Sequence, residues 1–251
     1  MFIRSLFILA FCLTASVSSR AWAYEFSPII AQFSPTGSGA AKTFVVKNTH
    51  EEPIALQIEV YRRSADEMGN ETREPEFDDF IVTPPQLVLA PGQSQSIRAQ
   101  WIGDPNPDTE LAYRLVVEQL PIPYKSEGEA NGVAVDVKLG FRYEAALYVV
   151  PAQGGEPEAR IDHGEIVKSD DGDTFLRLTV KNEGKRRAIL QHPVVTVQAG
   201  GEILELSGEA IEPLNNRNII AGTQAVVDVP VAETLAPGPV SASLKTDYFR
   251  N

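Results

Sequence analysis

The chain has 251 residues, a net charge of −12 and a single cysteine. An acidic surface repels nucleic acid and anionic lipid, and one cysteine excludes a framework of internal disulfides. The length suits one or two domains with ordinary hydrophobic cores.

The first 23 residues have the pattern of a cleavable secretion signal. Arg4 supplies a short basic region, residues 6–13 are almost entirely apolar, and residues 21–23 place small side chains around a cleavage point. The apolar run is shorter than the roughly 20 residues that a transmembrane helix needs. We therefore expect an exported protein that starts at Tyr24 and has no membrane insertion after cleavage, with an uncleaved anchor as the alternative.

Cleavage also changes the composition of the mature protein. Loss of Arg4 and Arg20 lowers the net charge from −12 to −14. Because Cys12 is removed as well, we expect neither a disulfide nor a thiolate metal site.

Short alternating runs rich in Val, Ile, Leu and Phe follow Tyr24, separated by Gly, Pro, Asn and Asp. This pattern predicts many short strands in a Greek-key β-sandwich rather than a parallel α/β sheet. The predicted strands of the first half are 43–47, 54–61, 81–83, 87–89, 94–101, 113–120 and 133–149.

Residues 151–157 contain two prolines and two glycines, as expected of a linker. The strand pattern then resumes at 164–167, 175–181, 189–198, 202–206, 225–231 and 241–247. We therefore predict an all-β protein with two sandwich domains joined by a bend, at residues 24–150 and 158–251.

The residues that usually carry catalysis or bind metals are sparse. His50, His163 and His192 lie in or beside predicted turns, and none has a second ligand at metal-binding spacing. Residues 170–173 superficially resemble a calcium loop but fit a tight hairpin turn better, and the acidic residues 74–79 fit a solvated loop. We therefore predict no catalytic residue, no metal and no cofactor.

Residues 133–141 form the most informative strand. Apolar side chains occupy every odd position, and the pattern continues to Val149, which is long for one sandwich strand. The odd positions are Val133, Val135, Val137, Leu139 and Phe141.

The alternation alone leaves two interpretations open. The strand could belong to the protein's own core, which is the ordinary role of such a pattern. An exposed apolar edge could instead add a strand to another protein, with main-chain hydrogen bonds for affinity and alternate side chains in pockets.

Several motifs in the first domain favour the second interpretation. Together they resemble the PapD-like periplasmic chaperones of the chaperone–usher pilus pathway. The matching segments are 44–48 with Pro53, 79–85, 89–98, Glu110, 113–115 and 118–121.

The resemblance implies two immunoglobulin-like domains arranged as a boomerang. It also implies donor-strand complementation, in which the chaperone lends a strand to a pilin that lacks its final strand. The implied donor residues are Val137, Leu139 and Phe141, and Val133 and Val135 extend the series.

The resemblance further implies a periplasmic protein that delivers subunits to an outer-membrane usher. Thr83, Pro84, Pro85 and Arg98 match positions that family members present to the usher. A structural role for the two prolines and a solvent-facing role for Arg98 are the alternatives.

Two positions depart from the family pattern. The arginine and lysine that grip the subunit's terminal carboxylate are replaced here by Ile30 and Ala146. Either the carboxylate grip is lost, or it has moved to Arg114, with Arg142 and Lys138 as weaker candidates.

A third departure concerns the contact between the domains. The resemblance implies an ion pair between the domains whose basic member is replaced here by Val150, although Glu110 and Asp247 are retained.

Two classes of function therefore remain. One is a pilus-subunit chaperone whose open edge would also allow the free protein to cap itself as a dimer. The other is a secreted structural or adhesive β-sandwich module, in which the stripe at 133–141 lies in the protein's own core.

Overall fold

The computed structural model describes residues 24–121, 140–232 and 235–249. The predicted signal segment lies outside these residues, as do Val133, Val135, Val137, Lys138 and Leu139. The described residues form β-strands and two short 3₁₀ segments, Gly37–Ala40 and Gly208–Leu214. None of their helices is long and apolar enough to span a bilayer.

The first domain is a sandwich of two sheets. One has the strand order β1-β3-β8-β6, and the other has the order β2-β10-β9-β4-β5, with β7 also paired to β4. Its strands are β1 (Glu25–Ser27), β2 (Ile30–Phe33), β3 (Ala41–Lys47), β4 (Ile54–Ala65), β5 (Glu71–Pro75), β6 (Phe80–Thr83), β7 (Gln86–Leu89), β8 (Ser94–Trp101), β9 (Leu111–Gln119) and β10 (Arg142–Val149).

The second domain is also built from two sheets, with the orders β16-β12-β11-β17 and β14-β13-β15, and with β18 paired to β13. Its strands are β11 (Ala159–Lys168), β12 (Thr174–Asn182), β13 (Ala188–Ala199), β14 (Glu202–Leu206), β15 (Asn218–Ile219), β16 (Gln224–Pro230), β17 (Gly238–Pro239) and β18 (Ser241–Tyr248). The prediction of an all-β protein with two domains is confirmed.

Each domain has its own hydrophobic core. Alternate side chains of β9 and β10 point into the first core, where Leu115, Val117 and Leu147 are fully buried. The second core is built around Leu176, Leu178 and neighbours from β13 and β16. The side chains that alternate with the first set lie on the outer face of the large sheet in the first domain.

The solvated loop predicted at residues 74–79 is confirmed only for residues 76–79, which lie outside any strand. Residues 74 and 75 belong instead to β5, which pairs with the extension of β4 to Ala65 and whose residues are all exposed. An exposed strand of charged residues carries no apolar alternation, so the sequence offers no sign of it. The predicted tight turn at residues 170–173 is confirmed: Ser169 N–H donates to the Asp173 carbonyl, and Gly172 has φ +95°.

A buried ion pair joins the two domains. The expectation that Glu110 lacks a basic partner is wrong, because Arg187 of the second domain donates to its carboxylate over 2.7 Å. The Arg187 guanidinium also lies 3.7 Å from the ring centroid of Tyr148 in β10. Position 150 gives no indication of this pair, because its basic member, Arg187, lies in the other domain.

The tip of the β4–β5 hairpin makes a second contact between the domains. The Met68 carbonyl accepts a 3.0 Å hydrogen bond from the Val226 amide. The Glu67 carbonyl accepts another from the Gln224 side chain over 2.7 Å. Gly69 has φ +81°, and a Cβ there would lie 2.4 Å from the Cα of Ala225. The tip therefore packs backbone against backbone on β16.

We expect Gly69→Ala to destabilise the protein by about 1–3 kcal/mol more than Gly92→Ala, because overpacking adds to the backbone strain. Gly92 is the matched control: its φ is +72°, but a Cβ there would meet nothing within 4 Å. Urea denaturation of both variants measures the difference. Equal losses of stability would show that the tip does not pack closely on β16.

Candidate functional site

The side chains of β10 and of Phe141, the residue before it, lie on two faces. Ala145, Leu147 and Val149 are buried in the first core, while Phe141 and Tyr143 pack against its margin. Arg142 and Glu144, with the alternate parity, lie on the outer face. The odd positions 133–139 have the same parity in the sequence as these core-facing residues. Phe141 is the first residue of this odd-numbered series, in chain order, for which the structure describes a contact with the core.

One edge of β10 is only partly covered. β2 pairs with Ala146–Val149, and the Ala146 amide donates to the Ile29 carbonyl. Among the described strands, Arg142–Ala145 pair only with β9 on the other side. We call Arg142–Ala145 the open edge. It is flanked by Ile29 and Ile30, which are 62% and 47% exposed.

The register fixes which main-chain groups this edge presents. The Gln119 amide donates to the Phe141 carbonyl, which places Phe141 among the residues that face β9. The amides of Arg142 and Glu144 therefore point the other way, toward the open edge, as the Ala146 amide does toward β2. A further strand could be hydrogen-bonded there.

His50 supports the beginning of this strand. Its ring lies 5.7 Å from that of Phe141, centroid to centroid, and its buried Nε2 has no hydrogen-bond partner among the described residues. Burial lowers the pKa of His50, which favours the neutral imidazole. The sequence places His50 only in or beside a predicted turn, and nothing in the pattern indicates a contact with a residue 91 positions along the chain.

Arg114 lies beside the positions where the sequence lacks its expected anchors. Ala146 pairs in register with Ile30 on one side and with Arg114 on the other. All three alternate with core residues and therefore share the outer face of the large sheet. Arg114 thus stands one strand away from Ala146.

The Arg114 guanidinium is occupied by a carboxylate of the same chain. It donates from Nε and from its terminal nitrogen to the two Glu71 oxygens, over 3.0 and 2.7 Å. Arg63 and Arg73 also donate to Glu71, over 2.6 and 2.7 Å. We call Arg63, Arg73 and Arg114 the arginine cluster. All three arginines bind Glu71, and Arg73 in addition donates to Glu144 over 2.7 Å.

The electrostatics of Glu71 reflect this arrangement. Partial burial raises its pKa, but the Arg114 hydrogen bonds, the Arg63 charge and the Arg73 hydrogen bond outweigh burial and lower the pKa to about 2. Because the folded pKa is depressed, Glu71 stabilises the fold fully above its ordinary pKa of 4.5, and this contribution is lost as the pH falls toward 2.

We expect Glu71→Gln to flatten the dependence of the unfolding free energy on pH between 4.5 and 2, because it removes the group that must be protonated there. Urea denaturation at several pH values measures both slopes. A variant with the slope of the wild type would mean that the arginines do not hold Glu71 ionised.

The other anchor candidates differ in their surroundings. Arg142 is exposed and lies 3.2 Å from Glu144 and 3.9 Å from Glu118. Lys138 lies outside the described residues. Among the described candidates, only Arg114 forms a bidentate pair.

The four usher-facing candidates meet at one edge of the smaller sheet. Exposed Thr83 at the end of β6 pairs in register with exposed Arg98 of β8. The Thr83–Pro84 peptide is cis, and the Pro85 carbonyl accepts a 2.8 Å hydrogen bond from the Ile58 amide. A groove of about 430 Å³ adjoins Pro85 and Gln86. Pro85 therefore also has a structural role in holding β4.

The described residues contain no group of three or more His, Cys, Asp or Glu side chains that could hold a metal ion.

Residues 34–154 match a family model, the PapD N-terminal domain, described as a pili and flagellar-assembly chaperone. A comparison with curated protein sequences finds no match.

Solved structures with a similar fold are distant in sequence. The class 5 fimbriae chaperone CfaA is 16% identical with a TM-score of 0.55, over 91% of this chain and 93% of that one. The CsuC–CsuE chaperone–tip adhesion subunit pre-assembly complex of Acinetobacter baumannii contains a chain that is 15% identical, with a TM-score of 0.52, over 81% and 89%. The E. coli chaperone DraB is 19% identical, with a TM-score of 0.50, over 90% and 91%.

Proposed function

Because the chain belongs, through its first domain, to the PapD-like family of pilus-assembly chaperones, we propose that it captures pilin-like subunits by donor-strand complementation. In this mechanism it lends residues 133–141 to a subunit that lacks its final strand. The chaperone needs no nucleotide or metal, since the binding energy comes from main-chain pairing and apolar side chains.

The open edge is the observation that supports this proposal most strongly. The amides of Arg142 and Glu144 point toward it, and no described strand accepts their hydrogen bonds. A client strand placed there would continue along residues 133–141, where Val133, Val135, Val137, Leu139 and Phe141 would contribute alternate side chains.

We further propose that Arg114 anchors the client's terminal carboxylate in place of the missing basic residues. The register places it opposite Ala146, and its planar fork already binds a carboxylate in two-point geometry. The Arg142 side chain and Lys138 are secondary candidates for this role.

Delivery to an outer-membrane usher would use the edge formed by Thr83, Pro84, Pro85 and Arg98. Exposure of Thr83 and Arg98 on neighbouring strands supports a docking role. Pilus chaperones of this family are periplasmic, so we propose the same location here, reached through cleavage of residues 1–23. In the absence of a client, a second copy could cover the open edge as a self-capping dimer.

Purification of the tagged chain from the periplasm of its own bacterium, followed by mass spectrometry, tests the proposed function. We expect a small pilin-like protein that lacks its last strand to co-purify in a stoichiometric complex. Recovery of the chaperone without any such subunit, from cells that assemble pili, would contradict the proposal.

A further inference from the structure

Glu71 occupies the arginine cluster in the free chain, and the β4–β5 hairpin holds it there. Glu71 is the first residue of β5, directly after the hairpin tip that packs on β16. Within the tip, Asp66 accepts hydrogen bonds from the amides of Met68 and Asn70 over 2.9 and 2.8 Å. The tip is therefore fixed both internally and against the second domain.

This placement makes Glu71 an intramolecular ligand of the cluster. A carboxylate that is held next to its site acts at a high effective concentration, so a free carboxylate from solution competes poorly with it. Its four nitrogen–oxygen contacts of 2.6–3.0 Å come from three different arginines on three neighbouring strands.

We propose that Glu71 is an internal substitute for the client's terminal carboxylate, which a client must displace to reach Arg114. This inference rests on the anchor role of Arg114 in the proposed function. In this role, the β4–β5 hairpin holds Glu71 in the cluster and prevents the binding of a carboxylate that makes no other contact with the protein.

Displacement becomes favourable only when another contact contributes. A subunit that has already paired with the open edge brings its own carboxylate to the cluster intramolecularly, and the two carboxylates then compete on equal terms. The hairpin thus makes occupation of the cluster depend on strand pairing, and favours subunits that offer both features over isolated chain ends.

The experiment uses the pentapeptide acetyl-Val-Thr-Val-Thr-Val with a free C-terminal carboxylate, and the same peptide with a C-terminal amide. Binding is followed by NMR on the arginine Nε–H groups of the ¹⁵N-labelled protein. We expect Glu71→Gln and Glu71→Ala to bind the acid peptide at least about tenfold more tightly than the wild type does. The amide peptide should not distinguish the variants.

Glu183→Gln is the matched control. Glu183 also accepts two hydrogen bonds from a single arginine, Arg160, over 2.7 and 2.8 Å, but it lies in the second domain and belongs to neither the arginine cluster nor the open edge. Its replacement should change the affinity for the acid peptide by no more than about twofold. Removal of a competing carboxylate should change this affinity by about tenfold or more. Glu71→Gln keeps the shape of the side chain, so it reports on competition even if Glu71→Ala loosens the hairpin.

Two contrary outcomes separate this inference from the anchor proposal. Equal affinity in the wild type and in Glu71→Gln, with loss of binding in Arg114→Ala, would leave the anchor in place and overturn the substitute role of Glu71. No carboxylate-specific binding in any variant would overturn both. Neither outcome alters the co-purification test of subunit capture.

Discussion

Replacing Leu139 by Glu is expected to abolish capture of a pilin subunit while leaving the stability of the free chaperone almost unchanged. A donor side chain in a client pocket contributes about 1.5–3 kcal/mol, and burying a charge there costs more, so the dissociation constant should rise by about a hundredfold or more. Co-purification and urea denaturation measure the two effects separately.

Leu139 discriminates between functions better than Phe141 does. Phe141 packs against the first core and the His50 ring, so a charge there should reduce both stability and capture. Ala134→Glu is the matched control, because it introduces the same side chain at a position of the opposite parity. If Leu139→Glu unfolds the first domain, the strand belongs to the protein's own core, and a structural or adhesive module becomes the better interpretation.

Replacing Glu110 by Ala is expected to destabilise the protein by about 3–5 kcal/mol, because it leaves the buried Arg187 without its counter-charge. The two side chains are only 2% and 5% exposed. The Arg187 backbone amide also donates to the Glu110 carboxylate over 3.1 Å. Loss of the carboxylate therefore leaves two buried donors unpaired at the contact between the domains.

Arg177→Ala provides the control for an ion pair of similar geometry at the surface. Arg177 and Asp228 form two 2.8 Å hydrogen bonds but are 39% and 40% exposed. Solvent and entropy should reduce the cost of this variant to about 0–1 kcal/mol. Similar losses of stability in Glu110→Ala and Arg177→Ala would mean that breaking the buried ion pair costs no more than breaking the exposed one.

The fold was predictable because its signals are local. Alternating apolar residues and turn residues locate most strands, and the shared parity of β10 follows from the period of two. The β4–β5 hairpin was not predictable in the same way, since its exposed charged residues in β5 need no apolar face. The strand pattern therefore stops at residue 61, whereas β4 runs to Ala65.

The candidate site was predictable only in part, because its partners come from distant positions. Arg114 could be singled out from the resemblance, but nothing nearby in sequence indicates that Glu71 fills its fork, 43 residues away. The same applies to Glu110 and Arg187, which are 77 residues apart. Pairing across strands and between domains depends on the register, which single-sequence patterns do not specify.

Amide hydrogen exchange along the donor stretch tests the central claim most directly, in the free chaperone and in its complex with the co-purifying pilin. A client strand on the open edge should slow exchange at Arg142 and Glu144, whose amides face it, and at the even-numbered residues 134–140 by the same parity. Unchanged exchange at these amides in a stable complex would contradict strand addition and place the client on another surface.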